Sequence, residues 1–352
     1  MTSLKSFVGR HPVASYFVLT FAISWGGALL AVGGSGGMRG TTPGSDPRFA
    51  YALFAMLAGP ALSGLFMTAL LHGRSGLAAF ASRLIAWRAG ARWYAALLIA
   101  PAAIAAALAA LSSVSRGFLP GIVTSDDPLS LLLTSLAVGV AAGIFEELGW
   151  TGFAIPALRR TRGMVSTGFI VGILWSAWHL FPNIWSARSA AGDLPMSIHM
   201  TGIAAGIFIG YLTAYRIVMV WVYDATGSIL IGMLMHVSIT FSLLALNPLG
   251  ISGLRLLVFS FSFAAALWIA VALVALMNRE PGRQPWRRLI YDAQGRHGER
   301  ANARAGAEVI RGAVLGGGVS PVRGRRARSS AGSGGSRTPR HGRLPARARR
   351  RQ

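Results

Sequence analysis

The sequence contains no cysteine. That one absence excludes disulfides, thiolate metal sites, iron–sulfur clusters and a cysteine nucleophile together. Charge is scarce as well: 13% of the 352 residues are charged, against roughly 25% in soluble domains, and only 11 are acidic. With 53% hydrophobic residues and a mean hydropathy of +0.53, the balance is that of a polytopic membrane protein. Because acids are so few, each one inside an apolar stretch needs a reason.

The formal charge of +23 is unevenly spread. Residues 279–352 hold 19 Arg against four acids, whereas residues 1–278 hold 15 Lys and Arg against seven. Residues 295–352 are rich in Gly, Arg, Ser, Ala and Pro without apolar periodicity, and are expected to form a disordered cytoplasmic tail. No specific nucleic-acid partner is expected for it. Between bundle and tail, residues 279–294 include Trp286-Arg287-Arg288-Leu289-Ile290-Tyr291, a basic and aromatic segment suited to the membrane interface.

Residues 1–278 read as an all-α bundle of about eight transmembrane helices, each near the roughly 20 residues that cross the hydrocarbon core. The expected spans are 12–33, 50–72, 93–114, 128–157, 164–182, 196–216, 218–246 and 254–277, the sixth and seventh parted only by Arg216. The first, following Lys5 and Arg10, is too long for a signal-peptide core and has no clear cleavage site, so it is read as a retained helix. Placing both termini in the cytoplasm puts ten loop Lys and Arg on that side, Arg216 among them, and five on the other. The expectation is a multi-pass protein of a bacterial-type plasma membrane.

Against this background, Glu146 and Glu147 lie side by side in the fourth apolar stretch. An intramembrane carboxylate costs roughly 2.5–3.5 kcal/mol on the translocon scale, and a like-charged neighbour adds repulsion. Three motifs follow in order: Glu146-Glu147-x-Gly149-Trp150-x-Gly152 with Pro156, Trp175-Ser176-Ala177-Trp178-His179, and His236-Val237-Ser238-Ile239-Thr240. Adjacent helical residues diverge by about 100°, so one glutamate can face substrate or water while a neighbour fixes the other. Trp175 and His179, four apart, share a face.

The pattern resembles the CPBP intramembrane metalloprotease family, also called the Abi or CAAX-protease family, which includes the type II CAAX prenyl endopeptidase. Its motifs are Glu-Glu-x-x-x-Arg, aromatic-x-x-x-His and His-x-x-x-Asn on successive helices of a roughly eight-helix bundle. The resemblance covers about residues 120–246. It implies peptide-bond hydrolysis in a membrane-embedded or membrane-associated protein or peptide. Glu146 would act as base on a water, Glu147 as its orienting partner, and His179 and His236 as groups holding the water or the developing oxyanion. Trp150, Trp175, Thr151 and Thr240 would support them. Two departures stand out: Thr151 replaces the family's arginine and Thr240 its asparagine, removing a positive charge beside Glu147 and two amide donors after His236. Glu146, His179 and His236 also form a donor set suited to one divalent metal, zinc ahead of others. The soluble-protease signature His-Glu-x-x-His is absent, and metal-dependent and metal-free mechanisms both stay open.

Other readings are weaker. Gly250-Ile251-Ser252-Gly253 has the letters of a rhomboid site, but the only later histidines are His297 and His341 in the tail. A non-proteolytic relative, acting as membrane scaffold or toxin-immunity factor, is motivated by the two departures. A proton-coupled transporter would need inverted-repeat symmetry, and residues 1–120 hold no counterpart of the glutamate pair.

Overall fold

The computed structural model describes residues 2–277. The expected interfacial segment 279–294 and tail 295–352 lie outside the described residues. The described residues form helices and turns with no strand. A short helix α1 (Thr2–Arg10) precedes α2 (Pro12–Val32), α3 (Phe49–Leu84), α4 (Ala91–Ser112) and α5 (Pro128–Arg159). The bent pair α6 (Met164–Trp178) and α7 (Leu180–Ala191) follows, then α8 (Met196–Thr226), α9 (Ile229–Leu246) and α10 (Gly253–Met277). Seven of these helices are long and apolar enough to cross a membrane, and the bent pair makes an eighth if it counts as one span.

Local chemistry sets the ends. Proline opens α2 and α5 at their first turn, and the Asp127 side chain caps α5 by accepting from the Ser130 N–H. The 36 residues of α3 would run about 54 Å, well past a hydrocarbon core of about 30 Å. Its helical path breaks at Gly73 (φ 60°), next to the expected end of the second span.

The boundary expected at Arg216 is wrong. Residues 196–226 form one continuous span, and the turn comes at Gly227 and Ser228. Gly227 takes the left-handed conformation (φ 63°) and closes α8 through its N–H to the Tyr223 carbonyl. Ser228 then caps α9, accepting from the Ile231 N–H. Arg216 is therefore no loop residue and leaves the cytoplasmic count; its side chain is fully buried, in the bundle. The fifth span also differs from the expected 164–182, bending by 57° immediately after Trp178.

Burial orders the helices. In α8 78% of the most apolar window is buried, against 22% in α5, so α8 is the central staff and α5 turns most of its surface outward. Glycines fix the crossings around it. A Cβ on Gly168 or Gly172 of α6 would lie 2.6 Å from the Ile217 Cα or 2.8 Å from the Thr213 Cα, so α6 and α8 touch backbone to backbone. On α8 itself, Gly202, Gly206 and Gly210 pack against Leu257, Ser260 and Ala264 of α10.

The α2–α3 loop is tied by one arginine. Arg48 pairs with Asp46 at 2.7 Å and donates to the Val32 and Gly37 carbonyls at 2.7 and 2.8 Å. The hydrogen bonds from Arg48 hold the Asp46 carboxyl well below the usual carboxylate range.

Candidate active site

Both glutamates lie in the α-helical turn of α5 just before a wider π-helical turn at Trp150–Ala154. Such turns insert one residue into a helix and recur at functional sites. Three helices close on them. Gly143, one turn before the pair, faces α9, where a Cβ would meet the Met233 carbonyl at 2.8 Å and the Val237 side chain at 2.7 Å. That close approach brings His236 to the carboxylates. The glycine contacts between α6 and α8 place Trp175 beside Arg216.

Glu147 is saturated. Its Oε1 accepts from Arg216 Nη1 at 2.8 Å and from His236 Nδ1 at 2.7 Å. Its Oε2 accepts from Arg216 Nη1 at 2.9 Å and from the Thr151 hydroxyl. A carboxylate offers about four acceptor positions, and here all four meet donors. The residue is fully buried, as is Arg216. The guanidinium carbon lies 4.1 Å from the centroid of the Trp175 ring, a cation–π contact in a desolvated setting. Among the described residues Arg216 Nε and Nη2 have no hydrogen-bond acceptor.

Glu146 is held differently. Its Oε2 accepts two indole N–H groups, Trp175 at 2.7 Å and Trp150 at 3.1 Å. His236 Nε2 lies 3.7 Å from its Oε1, beyond hydrogen-bond distance. Glu146 lines a cavity of about 500 Å³ together with His179, His236 and Thr240. The rest of the wall is mostly apolar, with Phe49, Leu53, Met56 and Leu243 among its residues.

The imidazoles have assigned directions. His179 Nδ1 lies 2.9 Å from the Trp175 carbonyl, which can only accept, so Nδ1 carries the proton. His236 Nδ1 faces the Glu147 carboxylate in the same way. In each ring Nε2 remains for water, substrate or an ion. The Trp175 indole stands edge-on to both rings at 5.3 Å. His179 sits at the bend between α6 and α7, and its carbonyl accepts from the Asn183 amide at 2.8 Å.

The candidate residues from all three motifs thus meet. Trp150 and Trp175 hydrogen-bond Glu146, Thr151 and His236 hydrogen-bond Glu147, His179 joins by ring contact with Trp175, and Thr240 by the shared cavity. Sequence reasoning missed Arg216. The available signal was that Tyr215-Arg216-Ile217 contains no turn residue, whereas Thr226-Gly227-Ser228 does. For a divalent metal the donor types suit zinc, with a carbonyl or carboxylate behind each Nδ1. Among the described residues, however, no three His, Asp or Glu groups converge closely enough to hold an ion.

A polytopic helical membrane protein with a buried carboxylate–imidazole centre is the class that fold and site define. Residues 128–242, which run from the start of α5 into α9, match the model of the Rce1-like family, described as type II CAAX prenyl endopeptidase Rce1-like. A 48-residue stretch is 42% identical to CAAX prenyl protease 2 of Methanococcus maripaludis, covering 14% of this chain and 17% of that relative. The match spans only about a sixth of the curated relative's length.

Proposed function

We propose that this chain is an intramembrane endopeptidase that hydrolyses a peptide bond with water activated by Glu146. One observation carries the reading: of the four carboxylate oxygens in the pair, Glu146 Oε1 alone has no donor within hydrogen-bond distance, in a residue that lines the cavity. In the step, Oε1 takes a proton from water as the water oxygen attacks the carbonyl carbon. The tetrahedral intermediate collapses as that proton passes to the departing nitrogen and the C–N bond breaks, leaving an acid and an amine. Glu147 cannot act as the base, since its acceptor positions are taken; it holds His236. The Nε2 atoms of His236 and His179 are left to orient the water or the carbonyl oxygen.

The mostly apolar cavity wall favours a hydrophobic segment of a membrane protein or peptide over a free polar peptide. The similarity to the Methanococcus protein named CAAX prenyl protease 2 supports hydrolysis as the reaction class. A metal on Glu146, His179 and His236 would supply Lewis-acid polarisation of the carbonyl, but among the described residues the donor positions do not converge.

The test compares membrane-protein termini and released peptides in cells expressing wild type, Glu146→Gln or His179→Ala at matched levels. Termini made by wild type and lost in both variants are expected. A phenotype kept by all three strains without such termini would replace the proteolytic reading with a scaffold or immunity role. Thr151 and Thr240, in place of the family's arginine and asparagine, are the departures that support that rival.

A further inference from the structure

Resting on the reading of Glu146 as base, we propose that Arg216 is a positioning residue for both glutamates. It supplies from the central helix α8 the cation that position 151 of this chain lacks. The two arms of this arrangement are separate. Through Nη1 the guanidinium bridges both oxygens of Glu147, which in turn fixes Nδ1 of His236 and so aims Nε2 toward Glu146. The guanidinium carbon also lies over the Trp175 ring, whose N–H holds Glu146 Oε2. One group thereby sets the His236 ring and the indole on which Glu146 rests.

The two donors reach Glu147 from different helices. Thr151, in α5, gives its hydroxyl to Glu147 Oε2 and packs against Gly232 of α9, while Arg216 reaches both carboxylate oxygens from α8. Stability alone does not account for the pair. A buried ion pair is commonly no better than apolar residues of similar volume, and the residues flanking Arg216, Tyr215 and Ile217, are fully buried. What apolar packing would not supply is a fixed direction for two carboxylates and an imidazole.

The experiment measures, by pulse-chase in cells, the rate at which the Glu146-dependent termini appear, with thermal stability of each full-length variant read in detergent. Arg216→Thr is expected to slow cleavage about 100-fold, the scale of an ångström's misplacement. The exchange variant Thr151→Arg/Arg216→Thr, which conserves composition, is expected to recover most of that loss. The charge-free pair Glu147→Gln/Arg216→Met is expected to regain thermal stability over Arg216→Met without regaining cleavage, which a purely structural role would not produce. If the exchange variant fails to accumulate, Arg216→Lys decides. Its ammonium can meet both Glu147 oxygens but cannot cover the indole, so its rate is expected between those of wild type and Arg216→Thr. Wild-type cleavage in Arg216→Thr overturns this inference alone, as does a stable Arg216→Lys as slow as Arg216→Thr. Absence of Glu146-dependent termini in wild type overturns the proteolytic reading and this inference with it.

Discussion

Trp175 donates its indole N–H to Glu146 Oε2 at 2.7 Å, across 29 positions of sequence and between α6 and α5. Trp150 donates to the same oxygen at 3.1 Å from within α5. Glu146 is thus restrained from two directions before any substrate arrives. Hydrogen bonds to a charged acceptor contribute about 1.5–3 kcal/mol. Trp175→Phe keeps most of the aromatic volume and removes the N–H. It is expected to lower the cleavage rate about 10- to 100-fold, measured on the termini that depend on Glu146, while the variant still accumulates in membranes.

The ion pair between Arg216 and Glu147 predicts a stability cycle. Removing one partner leaves an uncompensated buried charge, which costs about 3–5 kcal/mol. Arg216→Met alone should show that loss in denaturant or thermal unfolding in micelles. Pairing it with Glu147→Gln should return most of it. Two losses that simply add would show that the partners do not interact.

Helix approach is a third handle. Gly143→Ala places a methyl against the Met233 carbonyl, and a backbone atom cannot swing aside. The expected cost is about 1–3 kcal/mol, as for other overpacked contacts, with slower cleavage because His236 rides on the displaced helix. Gly163→Ala, which meets nothing within 4 Å, is the matched control and should change neither quantity.

The loop clamp has a defined pH dependence. Asp46 is held below the usual carboxylate range by Arg48, so its folded pKa is depressed. Its contribution is therefore complete above the unfolded value of about 3.9 and is lost as pH falls through the folded value. The difference in melting temperature between wild type and Asp46→Asn should stay constant from pH 8 to about 5 and shrink only in stronger acid. A difference that vanishes between pH 7 and 6 would assign the effect to another group.

Metal dependence is settled by removal. Because the candidate donors do not converge, cleavage is expected to survive dialysis against a strong chelator, with less than one bound zinc per chain by elemental analysis. Loss of activity restored by zinc alone would assign Glu146, His179 and His236 as ligands.

Much of this arrangement is legible in the amino-acid order. Long apolar runs mark the spans, and two acids in an apolar stretch announce a site because their cost in lipid is high. Arg216 is the instructive failure. A lone cation between two apolar runs looks the same to hydropathy whether it reaches water at a helix end or meets an acid in the bundle. Only the partner, Glu147, lying 69 positions earlier, distinguishes the two. The bend at His179 did carry a mark: Pro182 has no N–H to give the Trp178 carbonyl four residues earlier, and the Trp25 indole donates to that carbonyl instead. The π-helical turn at Trp150–Ala154 has only Gly149, Gly152 and Pro156 around it as marks, which do not specify a π turn.

The double indole clamp on Glu146 has a stereochemical consequence. With Oε2 occupied by Trp150 and Trp175, a water can be deprotonated only from the side of Oε1, the side of His236. Attack from one fixed side reaches one prochiral face of a carbonyl, and reversing a peptide's direction presents the other. In the proposed hydrolysis the two tryptophans therefore fix the side from which water meets the substrate, and which chain direction is cut then depends on where the carbonyl oxygen is held.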